Sequence, residues 1–159
     1  MRRGLTWFVG GVLVATVATG VVFVAGMRAK SPAVLDTVRK MGRATKPLVL
    51  SSAGTPGAYA SVVRHTGRTS GRTYETPVVA QATDDGFVIA LPYGTNTDWL
   101  KNVLASGSAT IVDEGAVHEV DRPELANTDA VGFLFPPQEQ RTHRLFNVDD
   151  FLVVRRAAP

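Results

Sequence analysis

Two glycines four positions apart, Gly67 and Gly71, interrupt an alternating apolar stretch and make the chain double back. Apolar residues alternate from Tyr59 to Val63 before them and from Val78 to Ala82 after them. Such period-two alternation is the signature of a half-buried strand. The sequence therefore predicts a strand, a tight connection and a second strand, with the glycines taking backbone angles that other residues avoid. Arg68, Thr69, Ser70 and Arg72 lie in the connection. Freed backbone N–H groups, two guanidinium groups and two hydroxyls suit an anion, phosphate foremost. The same composition also serves an ordinary hairpin turn with solvated arginines.

The later segments extend the antiparallel theme. Asp84-Asp85-Gly86 is a hairpin signal, and the run Phe87 to Leu91 suits a strand buried on both faces. Pro92 to Asn96 is a loop. A helix over Asp98 to Ala105 follows, capped by Thr97 or Asp98 and stopped at Gly107. Its free N–H groups point back toward Tyr93-Gly94-Thr95 and offer a second anion contact, which Asp98 partly neutralises; a plainly capped helix is the alternative. Ala109–Asp113 and Ala116–Asp121 form another hairpin around Glu114-Gly115. Gln138 to Phe146 has helical character, and Phe151 to Val154 is a closing strand. The expected fold is mainly β with short helices: an antiparallel barrel of about six or seven strands, one domain in size.

Charge divides the chain unevenly. Residues 1–46 hold eight Lys/Arg against one acid, whereas residues 47–159 hold nine against thirteen. A nucleic-acid-binding domain carries its positive excess on the folded domain, so nucleic acid is not an expected partner. Gly4 to Met27 is uncharged over 24 residues. As a helix it would reach ~36 Å, enough for a bilayer core of ~30 Å. That exceeds the ~7–15-residue apolar core of a cleaved signal peptide, so residues 1–30 are expected to be a retained transmembrane anchor. Arg28, Lys30, Arg39, Lys40, Arg43 and Lys46 follow it, against Arg2 and Arg3 before it. The positive-inside rule then places the C-terminal domain in the cytoplasm. Ser31-Pro32 starts a short basic amphipathic helix over residues 31–46, with Ser as cap and Pro at the first helical position. This helix either lies on anionic headgroups or packs on the barrel. Residues 47–159 form the barrel domain.

The pattern Gly67-Arg68-Thr69-Ser70-Gly71, with Pro77-Val78 following, resembles the deazaflavin-dependent nitroreductase family. The resemblance continues through Leu91-Pro92-Tyr93-Gly94-Thr95-Asn96-Thr97-Asp98-Trp99-Leu100-Lys101-Asn102-Val103-Leu104-Ala105 and returns at Leu145-Phe146-Asn147-Val148-Asp149-Asp150-Phe151-Leu152. It implies a split β-barrel that binds the deazaflavin cofactor F420. It also implies hydride transfer from reduced cofactor to an electron-poor acceptor, a quinone such as menaquinone or a nitroaromatic compound, and homodimerisation. Carried over by motif, Arg68, Ser70, Gly71 and Arg72 would hold the phosphate and acidic tail. Pro77 and Val78 would lie beside the ring. Tyr93, Gly94 and Thr95, with Asp98, Trp99 and Asn102, would form the other wall; Asn102 has the structural alternative of bonding a loop carbonyl. Position 69 is Thr and position 74 is Tyr, where the family pattern often carries basic residues. FMN is the alternative cofactor, since it too presents a phosphate.

The familiar catalytic signatures are missing. His65, His118 and His143 show no metal-ligand spacing, and there is no cysteine, no G-x-S-x-G elbow and no phosphate-binding Walker loop. A hydride-transfer protein can look like this, because the cofactor carries the reactive carbon and the protein binds, orients and excludes water. Tyr93 is the candidate proton donor. An anchor would hold the barrel near a bilayer-dissolved quinone, and Phe133-Leu134-Phe135 either lines the entrance or belongs to the core. The alternative function is a non-catalytic or FMN-loaded split barrel that binds a ligand at the membrane.

Overall fold

A computed structural model describes residues 20–158. Residues 20–28 are helical (α1), and a turn at Ala29-Lys30 leads into α2, Pro32–Leu50. Seven strands follow: β1 Ser61–Thr66, β2 Thr73–Val78, β3 Ala80–Ala82, β4 Gly86–Ala90, β5 Ser108–Asp113, β6 Ala116–Asn127 and β7 Asp150–Arg156. Between β4 and β5 runs α3, Asp98–Ser106; between β6 and β7 lie α4, Thr128–Val131, a 3-10 turn at Gly132–Leu134, and α5, Pro137–Phe146.

All strand pairs are antiparallel, in the order β2-β1-β5-β6-β7-β4-β3. The two edge strands, β2 and β3, are consecutive in the chain with only Val79 between them. One residue spans no more than a few ångströms, so the sheet must curl until its edges meet. The result is a mainly-β half-barrel, and chain continuity rather than a ladder joins its two edges. Pro77 can sit in β2 because an edge strand has no partner on its outer side.

The expected burial of Phe87 to Leu91 on both faces holds, for a simple reason. Phe87, Ile89 and Leu91 join the main core with Val63, Ile111, Leu152, Val154 and the α3 residues Leu100 and Val103. The alternate residues Val88 and Ala90 face a second cluster with Phe135, Val148 and Phe151. A strand with apolar layers on both sides has no polar face to show. Gly86 opens this strand where β7 comes closest, and a Cβ there would overlap the Val154 carbonyl oxygen. Phe135 alone of the Phe133-Leu134-Phe135 run is buried; Phe133 is exposed.

Several boundaries differ from those the sequence suggests. Pairing of His65 with Tyr74 and Thr66 with Thr73 carries β1 and β2 into the expected connection, which contracts to Gly67–Arg72. The helix after Ser31 runs past Lys46 through Pro47 to Leu50, even though an interior proline loses its own N–H bond and crowds the carbonyl four residues back. Ser31 makes no side-chain cap there. β6 continues to Asn127 rather than ending at Asp121, since a bulge between Asp121 and Glu124, with Arg122 at φ 51°, accommodates Pro123. The predicted transmembrane span, Gly4 to Met27, lies largely outside the described residues. Among the described residues no helix is long and apolar enough to cross a membrane.

The end of α1 is nevertheless fastened to the barrel domain. Arg28 donates to the carbonyls of Arg144 (2.9 Å) and Leu145 (3.0 Å) near the C-terminus of α5, where orphan carbonyls and the helix dipole favour a cation. Phe23 meets Phe146 edge-on, and Lys30 donates to the Pro92 carbonyl at 3.3 Å.

Candidate functional site

The β1–β2 turn closes on itself through Gly67 N–H to the Arg72 carbonyl and Gly71 N–H to the Gly67 carbonyl, both 2.8 Å. Gly71 sits at φ 66°, a conformation that glycine adopts without strain. Gly67 is tightly overlaid: a Cβ would make Ser70 Oγ and the Tyr74 ring move. Ser70 Oγ in turn lies 3.1 Å from the Tyr74 hydroxyl.

This turn is locked to the start of α3. Arg68 donates from its guanidinium to Asn102 Oδ1 (2.8 Å), to Asp98 Oδ1 (3.1 Å) and, more weakly, to the Asp98 carbonyl (3.4 Å). Its backbone N–H also donates to Asn102 Oδ1, at 3.2 Å. With that oxygen engaged twice, the Asn102 amide group must present its Nδ2 to His65 Nδ1, 3.2 Å away. His65 Nδ1 is then the acceptor, so the ring proton sits on Nε2 and is donated to Thr76 Oγ1 at 3.2 Å. Burial pushes the His65 pKa down, and the charge of Lys46 adds to the effect. A neutral imidazole in one tautomer therefore completes a chain of hydrogen bonds from Asp98 through Arg68, Asn102 and His65 to Thr76. Tyr74 lies against the His65 ring, centroids 5.8 Å apart and planes 23° from parallel.

These positions redistribute the roles expected from sequence. Arg68, itself exposed, is bonded across the surface to Asp98 and to the buried Asn102. Asn102 accepts from a backbone amide instead of bonding a loop carbonyl. Arg72 and Ser70 are exposed on the turn, and among the described residues the Arg72 guanidinium makes no ion pair. Pro77 and Val78 point to opposite faces of β2, as neighbours on a strand must. Val78 is in the main core with Leu100 and Val103, and half-buried Trp99 packs against that core too. Tyr93, Gly94 and Thr95 form a turn after β4, with Gly94 at φ 72° and its N–H bonded to the Leu91 carbonyl. Burial raises the Tyr93 pKa further above neutral, and the protonated phenol is available as a hydrogen-bond donor. His65, Thr76 and Tyr74 enter the site from outside the expected set. Nothing local marks them, because His65 meets Asn102 across 37 residues of sequence.

An anion would find suitable groups here. The first N–H groups of α3 have no intrahelical partners, and Thr97 makes no side-chain cap. Thr97 Oγ1 is buried with no hydrogen-bond partner among the described residues. Together with the Arg72 guanidinium and Ser70 Oγ, these groups have the donor chemistry a phosphate needs. Asp98, at the same helix end, is tied to Arg68 and so does not present an uncompensated charge.

Fold and polar cluster together define a mainly-β half-barrel of the split-barrel kind, with a glycine-arginine turn bound to one helix start. No family model matches the sequence, and no curated protein does. Among solved structures, the chain is similar to a domain-swapped dimer at TM-score 0.50 and 12% identity, covering 76% of this chain and 98% of that one. That likeness is one of fold. Weaker similarity extends to an F420-H2 dependent reductase (FDR-A; TM-score 0.40, 16% identity, 60% of this chain and 93% of that one). A protein from Clostridium acetobutylicum described as related to a general stress protein, of the pyridoxinephosphate oxidase family, gives TM-score 0.46 at 12% identity, covering 74% of this chain and 84% of that one.

Proposed function

We propose that this chain is a split-barrel oxidoreductase that binds F420, or FMN in its place, and reduces a quinone or nitroaromatic acceptor. The observation that carries the reading is the junction of the Gly67–Arg72 turn with the α3 N-terminus, where Arg68 ties two of the motif blocks together and Arg72, Ser70 and uncapped helix N–H groups are left with donor capacity. Bound reduced cofactor would supply the hydride. The residues of this chain bind and orient: Arg72, Ser70 and the α3 N–H groups hold phosphate, and Arg68 with Asn102 fixes the turn against the helix. Tyr93 is the proton donor in this reading. The cytoplasmic placement of the barrel, an anchor in residues 1–30 and assembly as a homodimer belong to the same proposal.

A second reading, a non-catalytic ligand-binding barrel, gains from one feature: Arg68 is already neutralised by Asp98. Fluorescence titration with oxidised F420, with FMN run beside it, separates the two. Saturable binding of either supports the redox reading, and Arg72→Ala should weaken it about tenfold or more, the loss of one charge-assisted hydrogen bond. Binding of neither cofactor by folded protein would sink the redox reading.

A further inference from the structure

α2 is long for what it buries. Of its 19 residues only Leu35 is fully buried. A helix of this length with so few tertiary contacts is marginal in water, since packing of an apolar face supplies most helical stability. An apolar face exists and its C-terminal half is open. Val34, Met41 and Leu48 recur every seven residues with Val38, Thr45 and Val49 beside them, so they form one stripe; Val34 packs on Gly26 of α1 and Val38 is half-buried. Met41 is 64% exposed, Leu48 76% and Val49 38%. The opposite side carries Arg39, Arg43 and Lys46; Lys40 lies on the flank, paired with the sole acid, Asp36, at 3.4 Å. Arg39 and Lys46 are half-buried, so the flank turned toward the barrel is partly the charged one.

We propose that the open stripe of α2 lies on an anionic lipid surface, with Lys40 reaching the headgroups from the flank. Three features favour lipid over a second copy of the chain. The uncharged run ends at Met27, five residues before α2 begins. Val21 and Val22 of α1 are themselves exposed apolar side chains. Residues 47–159 carry a net negative charge, which repels the barrel from anionic headgroups and leaves α2 as the contact.

The proposal is independent of the cofactor. The absence of cysteine in the chain makes a clean test possible. Leu48→Cys and Arg43→Cys in the full chain, each carrying an environment-sensitive fluorophore, are mixed with phosphatidylcholine vesicles with and without phosphatidylglycerol. Brominated lipids should quench the label at position 48 but not at 43, and only when phosphatidylglycerol is present. Changing Lys40 to Gln should lower the equilibrium constant of that contact, read as quenching at position 48, about fivefold. A label at position 48 that stays in water on anionic vesicles overturns the proposal. So does one that leaves water with rising protein concentration and no lipid, the signature of a second copy. Sedimentation with purely neutral vesicles reports the uncharged run separately, so failure of the anchor is distinguishable from failure of this contact.

Discussion

Replacing Asn102 by alanine removes the acceptor shared by the Arg68 amide (3.2 Å) and guanidinium (2.8 Å), and with it the donor facing His65 Nδ1 (3.2 Å). Asn102 is 6% exposed, so water has little access to replace those contacts. A neutral hydrogen bond is worth about 1 kcal/mol net, one to a charged group about 1.5–3, and a buried group left unpaired costs about 1–3. Relaxation recovers part of that total, which leaves an expected loss of about 3–4 kcal/mol. Urea unfolding at neutral pH, on a truncation keeping residues 20–159, should show the midpoint fall with the slope unchanged. Nitrogen NMR should find His65 protonated on Nε2 in the parent and free to change tautomer in the variant. Asn102→Asp is the sharper control. It keeps the acceptor for Arg68 but sets a carboxylate beside His65 Nδ1, which favours the imidazolium. The His65 pKa should then rise above its ordinary 6.5 instead of lying below it. Stability in that variant should fall as pH rises through the raised value, opposite in sign to the parent. A loss under about 1 kcal/mol in Asn102→Ala, or a parent His65 protonated on Nδ1, would refute the hydrogen-bond chain as drawn.

The parent protein should lose stability as pH drops below about 6.5, because His65 and His143 both have lowered pKa values and the unfolded chain takes up their protons first; urea midpoints across pH 5 to 8 check the slope. Gly86→Ala should cost about 3 kcal/mol or more, as a Cβ displaces the β7 backbone at Val154, and thermal melting reads it directly. Leu100→Ala, at a fully buried α3 position, should cost about 2–5 kcal/mol in the same assay. Arg68→Ala should lower both the melting temperature and cofactor affinity, whereas Arg72→Ala should lower affinity alone; equal melting losses would remove the distinction between the two arginines.

What the sequence made legible, and what it hid, follows from the range of the interactions involved. The β4 run Phe87 to Ala90, the αL stop at Gly107 and the left-handed Asn147 after α5 are set within a few residues, so pattern alone locates them. Strand ends are not local. Tyr74 looks like connection until His65 pairs with it, and β6 looks finished at Asp121 until the bulge carries it past Pro123. The site divides along the same line. Glycines, arginines and hydroxyls of the turn are visible as a cluster, yet which arginine is tied down depends on α3. Asp98 and Asn102 sit one helical turn apart, on one face, and together they hold Arg68 and leave Arg72 available. A turn that looks like two equivalent cations is thus one structural arginine and one available arginine. The same reasoning explains why His65 escaped notice. A histidine without metal-ligand spacing has no local meaning, and it gains one only when Asn102, already turned by Arg68, presents its amide donor and fixes the ring. The rigidity of the Gly67–Arg72 turn then depends on a buried side chain that lies outside the turn. Mutational scans confined to the exposed turn would miss it.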